Sequence, residues 1–306
     1  MVSAGASAAG ERDRRGAAGL RPVAGMTKAK IGIADQRADV FADSRFEDLE
    51  LKFARRSIGW DALQHPWQVD DVDRWLGGAR AKGIEPLITF ARSRVAVRRT
   101  PPTVTEFTAA FRAFRARYPW VRAYATWNEA NHCGEGTCRT PQLVARYYAA
   151  IRANCPGCTV LAADLLDQPN MLPWARRFTR TAGHEPRYWG LHNYVSANRL
   201  DLACTRQLLR ATRGEVWLTE VGGLVARRND SETVLPEGKA HASRVTRFIF
   251  ERMARLSPRI TRVYLHHWRS QSTGDTWDSA FVGPDGRSRP ALSVLENFLV
   301  DRGDIA

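Results

Sequence analysis

Short apolar runs alternate along this chain with amphipathic stretches of helical period. The runs at 30–35 (KIGIAD), 51–60, 85–90, 124–127, 159–163, 188–194, 215–219 and 262–267 each read as a strand. Between them the apolar residues recur every three or four positions. Over 70–83, Val72, Trp75, Leu76 and Ala79 share one face and Gly83 supplies a stop. Over 103–118, Thr103 stands three residues before Glu106, the signature of a capping box. Over 140–154, Leu143, Tyr147 and Ile151 are spaced by four. Further helices are expected at 172–181, 202–213, 239–256 and 291–300.

A strand followed by a helix, repeated about eight times, is the pattern of an α/β protein, a single-domain (β/α)8 TIM barrel. It is expected to span 27–306, after a tail at 1–26 rich in Ala, Gly and Arg that is expected to be disordered. The chain of 306 residues suits one such barrel, which takes about 250 residues. A doubly wound sheet would show a glycine-rich phosphate loop after its first strand. Here Asp35, Gln36 and Arg37 stand in that place, and no P-loop motif follows.

Charge and cysteines adjust the picture. The net charge is +14, which suits acidic partners. The basic residues are scattered through the expected helices, as at 111–118, so no nucleic-acid partner is expected. No apolar run is long enough to span a bilayer, so no membrane partner is expected either. Cys133 and Cys138 bracket one short loop, Cys155 and Cys158 another, and Cys204 is left over. Two disulfides in an oxidising compartment are favoured over a zinc site or a redox CxxC. That points outside the cell, although 1–26 holds no signal-like apolar run, and a cytoplasmic location is the alternative.

In a barrel of this kind, functional groups stand at the C-terminal ends of strands. Four of the expected strands end in polar and aromatic residues: Asn128-Glu129, His192-Asn193-Tyr194, Glu220, and His266-His267-Trp268. These segments resemble the clan A glycoside hydrolases, (β/α)8 enzymes that include families 5 and 39. Those enzymes carry an Asn-Glu pair at strand four and a Glu at strand seven, matched here by ATWNEANH and WLTEVGG. The resemblance implies a retaining O-glycosidase acting on a β-linked glycan or glycoside, with no cofactor and no metal. It makes Glu129 the general acid/base and Glu220 the nucleophile. It places Asn128, His192 and Tyr194 in the substrate site, Trp268 as its aromatic floor, and Arg55 beneath the nucleophile. The order of elements matches over about 28–300, while the specific motifs cover few residues. A departure is the cysteine loop directly after Glu129.

The chemistry supports the pairing. Cleaving a glycoside by double displacement needs one carboxylate to attack and one carboxylic acid to protonate the leaving oxygen, about 5–5.5 Å apart. Glu129 must carry a proton near neutral pH, which a charged Glu220 close by would favour. Tyr194 and Arg55 would hold Glu220 ionised. The rivals are a non-catalytic carbohydrate-binding barrel and an inverting hydrolase, whose carboxyls would stand about 6.5–9.5 Å apart. His192 reads equally as a site residue or a satisfied core histidine, and Trp127 as core. His266 and His267 resemble a metal pair, but neighbours on a strand point to opposite faces, so only one should reach a pocket. Arg92, Arg94, Arg98 and Arg99 follow strand three and suggest an acidic sugar, against the plainer reading of a solvated loop.

Overall fold

A computed structural model describes residues 25–95, 100–228 and 233–305. Seven strands follow one another round a barrel: β1 (Lys30–Ala34), β2 (Phe53–Gly59), β3 (Glu85–Ala91), β4 (Ala123–Ala125), β5 (Thr159–Leu166), β6 (Tyr188–His192) and β7 (Glu215–Val221). A short strand β8 (Ala226–Arg227) lies outside it. β9 (Ile260–His266) then closes the barrel by pairing with both β7 and β1, every barrel pair being parallel. β8 pairs antiparallel with β10 (Trp277–Asp278).

Helices cover the crossovers: Pro66–Ala81, Val104–Arg117, Pro141–Asn154, Met171–Ala182, Ala203–Ala211 and Lys239–Phe248, with Pro290–Arg302 after β9. The first of these begins at Pro66, four residues before the apolar pattern suggested, because proline is well suited to a first helical turn. The capping box at Thr103 forms as expected. The Glu106 N–H donates to Thr103 Oγ1 at 3.2 Å, and the Thr103 N–H donates to Glu106 Oε2 at 2.7 Å. Between β1 and β2 there are only short turns of helix, Ala38–Ala42 and Ser44–Asp48.

Two apolar cores result. The larger lies between strands and helices and includes Trp75, Phe90, Phe107, Phe111, Trp127 and Trp189. The smaller fills the barrel with Ala34, Leu87, Ala123, Ala125, Leu161, Trp217 and Tyr264. Small side chains from β4 face large ones from β7 and β9, so the interior is packed and not a pore. Arg262 lies over the Phe53 and Trp217 rings, 4.4 and 4.1 Å from their centroids.

Strand alternation breaks at two places that matter for the site. In β5, Leu161 faces the barrel interior while Ala162 and Ala163 both join the outer core, and the register shifts between Leu161 and Asp164. The irregularity turns Asp164 inward. In β7, Thr219 faces inward and Val221 outward, with a register shift between Leu218 and Val221 that leaves Glu220 at the barrel mouth. Such bulges commonly re-aim a side chain beside a functional site.

Candidate active site

The site is built on a buried polar layer above the apolar barrel interior. Arg55 projects from β2 with no exposed surface. It donates to Asp164 Oδ2 from Nη2 at 2.6 Å and from Nε at 3.2 Å, to Asn128 Oδ1 at 2.8 Å, and to Glu220 Oε1. Asp164 is also fully buried and accepts from the hydroxyls of Thr89 at 2.9 Å and Thr219 at 2.8 Å. Gly190 on β6 leaves room for this cluster, since a Cβ there would stand 1.9 Å from Asp164 Oδ1. Burial disfavours the Asp164 anion, but the Arg55 charge and the nearby His192 outweigh it and hold the carboxyl at about 2.

Glu220 stands on top of this layer. Besides Arg55, it accepts from the Tyr194 hydroxyl at 3.0 Å. Burial again opposes its ionisation. The charges of His192 and Arg55, with the Tyr194 hydrogen bond, hold it well below the usual carboxylate range. Tyr194 is itself pushed well above its ordinary value, by burial and by the adjacent Glu220 anion, so its proton stays in place. It is not a strand residue, as 188–194 suggested. It opens the short helix Tyr194–Asn198, which starts two residues after β6 ends.

His192 is buried and joins the two glutamates. Its Nδ1 is 3.1 Å from Glu129 Oε1 and 3.6 Å from Glu220 Oε2, while Nε2 is 3.6 Å from Asp164 Oδ2, an ion-pair distance and too long for a hydrogen bond. Burial would discharge the imidazole. The Glu220 charge and its contacts with Asp164 and Glu129 overcome that and raise it to about 9, so it is cationic at neutral pH.

Glu129 lies beyond the end of β4, where the chain has left the strand. Its φ of +39° is in the left-handed region, which a glutamate adopts only when its surroundings hold it there. They do so through several bonds. The Asn128 N–H donates to Phe90 O at 2.7 Å, and the Ala130 N–H to Asp164 O at 2.9 Å. Asn131 spans to β5, accepting from the Leu166 N–H at 2.8 Å and donating to Leu166 O at 2.9 Å. The Cys133–Cys138 disulfide closes the loop that follows, and the Trp127 indole donates to Glu135 O within it. Cys155 and Cys158 form a second disulfide, and Cys204 is free. Glu129 Oε2 is 3.8 Å from His132 Nδ1.

A cavity of about 440 Å³ opens above the two glutamates and is lined also by Asp167, Tyr194, Arg227, His266 and Trp277. Asp167 is pushed up to about 6 by burial, against the hydrogen bonds it accepts from the Val195 and Ser196 N–H groups. Trp277 arrives on the β8–β10 ribbon, edge-on to Tyr194 with centroids 4.7 Å apart. A second hollow of about 260 Å³ shares His266 and Trp277 and continues to Asp35, Arg37 and Arg269.

Trp268 is not the floor of this cleft. It is 2% exposed, packs on Phe46 at 5.4 Å, and its indole N–H donates to Asp43 at 3.0 Å. β9 ends at His266, and the chain carries Trp268 behind the site, so Trp277 provides the aromatic wall. His266 and His267 also depart from expectation. His267 lies past the strand end, across a cis peptide bond, and both imidazoles line the second hollow, their nearest nitrogens 3.3 Å apart. Arg92 and Arg94 do not line either hollow: Arg92 pairs with Glu135 at 3.8 Å and Arg94 donates to Ser57 O at 2.9 Å. Arg98 and Arg99 lie outside the described residues. The sequence reading missed Asp164, Thr89, Thr219 and Trp277, of which Asp164 alone left a signal, as a single acid within the apolar run TVLAADLL.

Glu129, His192 and Glu220 each bring one ligand-type atom within 4.8 Å of the other two. A metal ion would accept that spacing. Arg55 and Tyr194 already bond the two oxygens of Glu220.

No protein-family model matches the chain, and no curated protein matches it in sequence. Its fold matches solved structures. A glucosidase from Croceicoccus marinus superposes with a TM-score of 0.65 at 13% identity, over 91% of this chain and 68% of that one. A family 39 glycoside hydrolase from the gut symbiont Bacteroides cellulosilyticus WH2 gives 0.60 at 13%, over 89% of this chain. This chain covers 63% of that enzyme, under two thirds of its length. An endo-1,4-beta-xylanase from Caldicellulosiruptor owensensis gives 0.60 at 15%, over 88% and 97%. At such identities the likeness is one of fold.

Proposed function

We propose that this protein is a retaining O-glycoside hydrolase that cleaves a β-linked glycan or glycoside by double displacement, with Glu220 as nucleophile and Glu129 as acid/base. The observation that carries this is the carboxylate spacing. An oxygen of Glu129 and an oxygen of Glu220 lie within 4.8 Å, on one cavity, at the mouth of the barrel. That approach suits the roughly 5–5.5 Å between the carboxyl groups of retaining enzymes better than the roughly 6.5–9.5 Å that an inverting enzyme needs for its water.

The two environments suit two roles. Glu220 is anionic, held by Arg55 and Tyr194, and ready to attack an anomeric carbon. Glu129 receives the His192 Nδ1–H on Oε1, which leaves Oε2 to deliver a proton to the leaving oxygen and later to take one from water. Asn128 gives its carbonyl to Arg55, so its amide N–H₂ is available to a sugar hydroxyl. Trp277 presents an apolar face for the C–H side of a pyranose. A binding-only barrel would have no use for this asymmetry. The two disulfides suit an oxidising compartment, and we place the enzyme outside the cytoplasm. Among the described residues no helix is long and apolar enough to cross a membrane.

The test is hydrolysis of activated aryl β-glycosides (glucoside, xyloside, galactoside, mannoside, glucuronide) by the wild type, Glu220→Ala and Glu129→Ala. Release should vanish in Glu220→Ala and return with azide as the α-glycosyl azide. Glu129→Ala should retain activity best on the most activated leaving groups and give the β-azide. Equal release by wild type and Glu220→Ala would overturn the assignment.

A further inference from the structure

Among the described residues, a hollow of about 730 Å³ is larger than the cleft above the glutamates. It lies where β5 and β6 begin, at Thr159 and Tyr188, which is the opposite end of the barrel. Its walls are the last turns of the helix Pro141–Asn154, the Cys155–Cys158 turn and the segment 184–188. We infer that this hollow is a second binding site, for a stretch of acidic polysaccharide held away from the catalytic cleft.

The charge on its walls is unbalanced. Arg152 and Arg187 face a single acid, Glu185, and Arg122 stands at the rim, donating to Gly157 O at 3.4 Å. Among the described residues, no carboxylate lies within ion-pair distance of any of these three arginines. Glu185 is otherwise engaged, accepting from the Trp189 indole and the Arg213 N–H.

The two guanidiniums are also held in place. Arg152 lies over the Tyr148 ring at 5.4 Å and bonds through Nη1 to His184 Nε2, whose Nδ1 donates to Ala182 O at 2.8 Å. The two bonds hold the His184 ring beside Arg152. Arg187 lies over Tyr188 at 5.1 Å. Stacked, unpaired guanidiniums are pre-organised forks for carboxylate or sulfate groups. The volume exceeds what one oxyanion fills and falls in the range of about 300–1,000 Å³ that takes larger organic ligands. A chain bearing repeated uronic acid or sulfate groups satisfies both the size and the charge. Its saccharide nature rests on the proposed glycosidase reading, whereas its negative charge rests on the arginines alone.

The experiment is calorimetric titration of galacturonic acid hexamer into the wild type and into Arg152→Gln/Arg187→Gln. Cellohexaose, sodium sulfate and a six-nucleotide single strand serve as comparison ligands. The same proteins are assayed for aryl glycoside turnover. The acidic hexamer should bind the wild type and lose about tenfold or more in the double variant, as expected for two charge-assisted contacts. Cellohexaose should bind both proteins equally, and turnover should be unchanged by the double substitution. Undiminished binding of the acidic hexamer by the double variant would overturn the site. Sulfate or the oligonucleotide binding as tightly as the hexamer, with the same dependence on both arginines, would overturn its saccharide specificity. Absence of turnover in both proteins would count against the glycosidase reading and leave the binding result standing.

Discussion

Asp164→Asn tests the buried layer that supports Glu220. The wild-type carboxylate accepts from Arg55 at 2.6 and 3.2 Å, from Thr89 at 2.9 Å and from Thr219 at 2.8 Å, with no exposed surface. Asparagine keeps the shape but has one acceptor oxygen, and with that oxygen toward Arg55 its N–H₂ faces Thr219, whose hydroxyl must turn from donor to acceptor. The cationic Arg55 and His192 then lose their shared buried counter-charge. Breaking a buried ion pair from one side costs about 3–5 kcal/mol. The titration gives a similar figure, since a carboxyl held at about 2 against an ordinary 3.8 contributes roughly 2–3 kcal/mol at neutral pH. Because the folded value is the lower one, that contribution is present above about pH 4 and lost as the pH falls toward 2. Urea and thermal unfolding should show a Tm lowered by roughly 4–8 °C at pH 7, with the gap to wild type narrowing below about pH 4. A nucleophile freed to shift by about 1 Å should also cost on the order of 100-fold in kcat. A variant within about 1 °C and twofold of the wild type at pH 7 would refute the idea that Asp164 organises the site.

Tyr194→Phe removes one of the bonds that keep Glu220 ionised. The acid limb of kcat/KM should move to higher pH and kcat should fall about tenfold, and an unmoved limb would count against the role. His192→Gln removes a group held at about 9, above its ordinary 6.5. The stability it contributes should be full below pH 6.5 and lost as the pH rises through 9, so unfolding at pH 6 and at pH 9.5 should show a large and then a small gap to wild type. Gly190→Ala places a methyl 1.9 Å from Asp164 Oδ1 and 2.9 Å from Thr219 Oγ1. It should destabilise by about 1–3 kcal/mol in urea unfolding, with Asp164→Asn/Gly190→Ala less than additive because both act on one carboxylate.

Much of this molecule is decided along the chain. The eight strand runs, the helical faces, the Thr103–Glu106 cap and the two cysteine loops are local patterns, set by periods of two or 3.6 and by short-range bonds. The positions of Glu129 and Glu220 at strand ends are legible for the same reason, whereas Tyr194 and Arg55 are placed beside Glu220 by the family resemblance and not by any period in the chain. Only the tertiary structure decides the rest. Strict alternation along β5 from Leu161 would turn Asp164 out of the barrel, and a register shift turns it in. Alternation likewise does not tell that β9 ends at His266, that Trp268 passes behind the site, or that a two-residue ribbon brings Trp277 back over it. Bulges, strand ends and returning loops depend on the register between strands distant in sequence. That register is settled by the closure of the whole barrel, so no local period in the chain records it.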